Sequence, residues 1–169
     1  FVDEKTAMQF VRPDAAQQSL PALLEYLRMW STQAPDLYFC EEGLLQLVRT
    51  GKMFDVPPDL CDAPDISTRR ELLLRLRRAA ESDRRTLRIV DSAQLALTPS
   101  MSVNVFQGRG VVFCQAIQEP NGLYCREYLM QDPTLTEALL AYLNDGHASD
   151  WVRSQKYTLD FIDYCLRLL

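Results

Sequence analysis

The stretch MSVNVFQGRGVVFCQAIQEPNGLYCREYLM, residues 101–130, decides the fold class. Apolar and polar residues alternate through Met101–Phe106, Val111–Gln118 and Leu123–Met130, which is the period-two signal of strands. Thr86–Val90 reads as a further strand upstream. Asn121-Gly122 is the strongest hairpin signal, because a type I′ turn wants positive φ at both central positions. Gly108-Arg109-Gly110 supplies a second tight connection. Four strands in an antiparallel meander follow.

Turn placement fixes register, and register fixes faces. With Asn121 and Gly122 at the turn, Pro120 faces Leu123, Cys114 lies opposite Leu129, and Cys125 opposite Gln118. With Gly108 and Arg109 at the other turn, Val105 opposes Val112 and Val103 opposes Cys114. One face then collects Met101, Val103, Val105, Val112, Cys114, Ala116, Cys125 and Leu129, a core face for helices to cover.

The other face gathers Phe106, Phe113 and Met130 with five candidate ligand- or partner-binding residues: Asn104, Gln115, Tyr124, Arg126 and Tyr128. Arg126 would pair with an anionic or carbonyl group. Asn104 and Gln115 offer directional hydrogen bonds, and Tyr124 or Tyr128 a flat apolar wall. The plainer alternative is a second, partly wet packing layer against another segment or subunit.

Working outward, Ser19-Leu20-Pro21 opens a helix whose Leu20, Leu23, Leu24, Leu27 and Trp30 form one stripe. Leu37 to Cys40 is a short strand. A helix carrying Leu44, Leu45, Leu47 and Val48 follows, closed by Gly51 in a left-handed position. The acidic, proline-rich residues 54–66 form a connection and a candidate sub-boundary. Thr68-x-x-Glu71 is a capping box for a helix reaching about Glu81. Downstream, Asp132-Pro133 starts a helix that Asp145-Gly146 stops, and a last helix runs from about Thr158 to Leu168. The expected architecture is α+β: the four-stranded antiparallel meander with helices packed on one face, plus a small N-terminal helix–strand–helix unit. Residues 1–18 read as a lead-in or linker, and 19–169 as one domain.

Composition narrows function. Apolar residues make up 47% and charged residues 24%, with no apolar run near the ~18–20 residues of a membrane span. Five cysteines without C-x-x-C spacing predict reduced, buried thiols in a cytoplasmic protein, not a disulfide framework or a zinc site. His147 is the one histidine and cannot build a multi-histidine centre. Gly108-x-Gly110 leads into a strand, whereas a phosphate loop needs a following helix. No matched acid–base pair or nucleophile elbow is visible, so neither an enzyme nor a cofactor is expected.

The net charge of −5 opposes nucleic-acid binding by the chain as a whole, although eight of the eighteen basic residues fall between Arg69 and Arg88. Phosphate contact, a salt-bridged surface and a solvated helix face compete there. Asp55, Asp59, Asp62 and Asp65 just upstream favour internal neutralisation or solvation.

The order of pieces resembles the C-terminal, non-DNA-binding portion of bacterial helix-turn-helix regulators of the Xre type. The residues carrying the likeness are Leu47-Val48-Arg49-Thr50-Gly51-Lys52 with the exit Val56-Pro57-Pro58, then the helix from Thr68 and the strand Leu87-Arg88-Ile89-Val90-Asp91. The meander Val103–Met130 and Asp132-Pro133-Thr134-Leu135-Thr136-Glu137-Ala138 complete it. The resemblance implies a sensory or regulatory domain of a transcription regulator, binding a small-molecule effector or a protein partner and forming a homo-oligomer. DNA contact would come only through a domain absent from this chain, consistent with its opening at Phe1. A dimerisation or protein-interaction module without a small ligand is the alternative.

Overall fold

In the computed structural model the described residues are 36–52, 62–82, 87–91, 93, 101–106, 110–119, 122–148 and 150–169. Side chains at 101–102, 114–119, 122–127 and 147 lie outside that description. The expected lead-in over 1–18, the helix from Ser19 and the exit at 56–58 also lie outside the described residues.

Among the described residues five strands form one sheet: β1 (Asp36–Phe39), β2 (Leu87–Ile89), β3 (Met101–Phe106), β4 (Gly110–Glu119) and β5 (Gly122–Met130). Their spatial order is β2-β1-β3-β4-β5. The β1–β2 pair is parallel, and the other pairs are antiparallel. The expected four-stranded antiparallel meander is therefore wrong as a topology, although each of its four strands exists. β1, assigned by sequence to a separate N-terminal unit, is inserted between β2 and β3. A parallel pair needs a long crossover, and two helices, α1 (Glu41–Thr50) and α2 (Ile66–Glu81), lie between β1 and β2 in the chain.

Local chemistry sets the helix ends. Gly51 takes φ 72° after α1 and donates its N–H to the Leu47 carbonyl, as its position in the sequence predicts. A Cβ at Gly51 would crowd the Arg69 guanidinium and the Pro64 carbonyl. α2 begins one turn before the expected capping box: Asp65 is the cap, accepting the Thr68 N–H at 2.8 Å. Glu71 instead pairs with Arg75 at 3.0 Å.

Helix α3 (Pro133–Ala148) starts as expected, with Asp132 accepting the Leu135 N–H at 3.0 Å. Gly146 does not stop it. A Cβ there would overlap the Trp151 indole, so this glycine is a packing point inside the helix. Helix α4 (Gln155–Leu168) starts at a Ser154 cap, slightly earlier than expected.

Helices cover both sheet faces, not one. On one face Leu37 and Leu87 pack with Leu44, Val48, Leu73, Ala80, Ile162 and Cys165 from α1, α2 and α4. On the other, Tyr38, Val103, Val105 and Val111 pack with Leu143 of α3 and with Val152. Leu73, Leu87 and Ile162 are completely buried, each a stabilising term of about 1.5–3 kcal/mol.

Register explains why one expected face came apart. Val105 pairs with Val111 and Val103 with Phe113, not with Val112 and Cys114. Phe106 pairs with Gly110, leaving three residues between the strands where two were expected. That one-residue slip turns β4 over relative to β3. Between β4 and β5 Glu119 pairs with Gly122, so Gly122 belongs to the strand and not to the turn. Cys114 faces Glu127 and Cys125 faces Ala116, a shift of two from expectation that preserves faces.

Candidate functional site

The two edges of the sheet differ. β2 is closed by the segment entering α4: the Ile89 N–H donates to Thr158 Oγ1 at 3.2 Å, and the Ile89 carbonyl accepts the Arg153 N–H at 2.8 Å. Val90 adds a bridge to Val152, and the Asp91 N–H donates to the Trp151 carbonyl at 2.8 Å. Beyond β5 no strand is paired among the described residues. An open edge presents alternate backbone N–H and C=O groups, a template for another strand.

Side chains reinforce that asymmetry. Two ladders cross all five strands: Arg88–Tyr38–Val103–Phe113–Tyr128 on one face and Leu87–Leu37–Asn104–Val112–Leu129 on the other. Both are buried in the middle and emerge at β5, where Tyr128 is 51% and Leu129 61% exposed. Adjacent strand residues point to opposite faces, so β5 ends with an exposed apolar side chain on each face of the sheet. Leu135, on the first turn of α3, is exposed as well.

The candidate residues do not all share a face. Register puts Gln115 opposite Arg126, with positions 115, 124 and 126 on the face of Tyr128. The side chains of Gln115, Tyr124 and Arg126 lie outside the described part. Asn104 sits on the other face, paired with Leu37 and Val112 and only 1% exposed. The slip between β3 and β4 separates it from the rest. Leu129, which the sequence reading placed in the core, is the exposed residue that reading missed. Its signal was the uncharged run Tyr128-Leu129-Met130 closing the strand.

Much of the arginine cluster is engaged internally. Arg69 donates to the Pro64 and Val48 carbonyls at 2.7 and 3.0 Å, tying the end of α1 to the start of α2. Arg77 bridges to Asp163 of α4 at 2.7 Å and to Glu81 on its own helix, and both carboxylates hold its guanidinium above its usual pKa. Arg88 is half-buried on the sheet beside Tyr38 and Asp36. Burial lowers its pKa, and those two neighbours act in the opposite direction. Arg70 and Arg78 remain exposed.

Among the described residues no group of three His, Cys, Asp or Glu is placed to hold a metal ion. No helix among them is long and apolar enough to cross a membrane. No family model, curated protein or solved structure matches the chain.

Proposed function

We propose that this chain is a regulatory domain of a cytoplasmic transcription regulator and that it works by docking a protein partner along β5. The transcriptional setting comes from the resemblance in element order. The docking mode is carried by one observation: β2 is hydrogen-bonded shut, whereas among the described residues no strand pairs with the outer edge of β5, which exposes Tyr128 and Leu129 on either side. Strand addition gains affinity from main-chain hydrogen bonds and specificity from flanking side chains. Buried Cys40 and Cys165 thiols fit a reducing compartment. A small-molecule effector is the second reading, with the half-buried Arg88 beside Asp36 and Tyr38 as its polar focus.

The test tethers residues 1–169 to a promoter through a DNA-binding domain that is already dimeric, so that self-association of the chain adds nothing. Reporter transcription should shift, and Tyr128→Lys with Leu129→Lys should return it to baseline, since losing docking by about tenfold needs only ~1.4 kcal/mol. A reporter that never responds, or one indifferent to both substitutions in a folded protein, overturns the docking assignment.

A further inference from the structure

Helix α4 has a buried face and, beside it, a second apolar strip that the fold covers only in part. Thr158, Ile162 and Cys165 are buried, and half-buried Leu159, Leu166 and Leu169 pack on the same core. Beside that face Tyr157, Tyr164 and Leu168 are exposed, and half-buried Phe161 joins them while also packing on the core, its ring 5.9 Å from that of Tyr164. The steps from 157 to 161, 164 and 168 are the four-three-four spacing of a helix-pairing seam. A surface helix whose only task is to cover a core carries polar residues there.

Charge identifies the occupant. Asp160 and Arg167 are exposed along one flank of the seam, two turns apart, and make no ion pair among the described residues. Asp163, by contrast, is held by Arg77. A two-fold axis passing between Phe161 and Tyr164 would lay two copies of α4 antiparallel. Phe161 would then meet Tyr164, Tyr157 would meet Leu168, and Asp160 of each copy would face Arg167 of the other. A parallel pairing leaves both charges without a partner. Isologous contacts require such self-complementarity. The seam is also held in place: the Tyr157 hydroxyl donates to the Glu41 carboxylate, and the Arg153 guanidinium lies over the Tyr157 ring, 5.7 Å from its centre.

We propose that α4 is a homodimer interface in which two copies of this chain pair antiparallel through Tyr157, Phe161, Tyr164 and Leu168. The inference goes beyond docking at β5, which lies on a different element. Sedimentation of the full chain over a concentration series should show a monomer–dimer equilibrium. Tyr164→Lys with Leu168→Lys should weaken it by at least about tenfold, one tenfold step being ~1.4 kcal/mol. Asp160→Arg alone should weaken dimerisation, and Asp160→Arg with Arg167→Asp should restore it, a rescue that a merely structural role would not give. A chain monomeric at every concentration overturns the proposal, as does a dimer insensitive to these variants. If the monomer still shifts transcription in a Tyr128- and Leu129-dependent way, α4 pairing alone has failed. If the dimer forms but the promoter is indifferent to β5, docking alone has failed.

Discussion

Thr158 Oγ1 accepts the Ile89 N–H at 3.2 Å while donating to the Ser154 carbonyl at 3.1 Å, so one hydroxyl fastens the start of α4 to the outer edge of β2. Both residues are completely buried. Removing the hydroxyl leaves a buried donor unsatisfied, which costs about 1–3 kcal/mol. Thr158→Val should lower the urea midpoint accordingly with an unchanged slope. Thr158→Ser, which keeps the oxygen, should lose less. Equal losses would mean that the methyl group and not the hydrogen bond matters.

Gly146 tests the packing of α3 against the segment that follows it. Glycine to alanine in a helix interior ordinarily stabilises by ~1 kcal/mol. Here the added methyl would overlap Trp151, whose ring meets that of Tyr142 in a tilted contact at a centroid distance of 4.9 Å. Gly146→Ala should therefore destabilise by about 1–3 kcal/mol, as overpacking does, and change the tryptophan emission. A more stable variant with unchanged emission would contradict the placement of Trp151.

Burial pushes the Cys165 thiol up to about 11, and burial is also the main cause of the raised Cys40 thiol. A raised folded pKa contributes stability that is complete below the unfolded thiol value of about 8.5 and is lost as pH rises through the folded value. Stability should thus decline from about pH 8.5 towards 11, and less so in Cys165→Ala after allowance for its lost packing. Alkylation at pH 8 should be slow at both sites in the native chain, and denaturation without reductant should release five reactive thiols. An internal disulfide would overturn the reducing assignment.

At the start of α2, hydrogen bonds from the Thr68 N–H and the Ser67 hydroxyl hold the Asp65 carboxyl below its usual range. A depressed folded pKa gives stability that is present above the unfolded value near 3.9 and lost as pH falls through the folded one. Asp65→Ala should lower Tm at neutral pH and flatten its acid dependence below about pH 4. Unchanged acid dependence would show that other carboxyls govern it.

Local signals made most elements legible. The glycine at 51, the Asp132-Pro133 start and the alternation through 101–130 each predict the element found there. What escaped was non-local. β1 has four residues, too few for a pattern that says where in a sheet it belongs, and its pairings reach from 36–39 to 87–89 and 102–105. The β3–β4 register escaped because Val111-Val112-Phe113 is apolar at every position, so period two fits either face equally. The alternation therefore groups Asn104 with Tyr128, though the sheet separates them.

The central claim, that among the described residues one edge of the sheet is closed and the other open, is read most directly by residue-resolved amide hydrogen exchange on the dilute chain. Ile89 should exchange slowly, and along residues 122–130 slow amides bonded to β4 should alternate with outward amides that exchange freely. Uniform protection along β5 would show that its edge is already covered, and the docking surface would not exist.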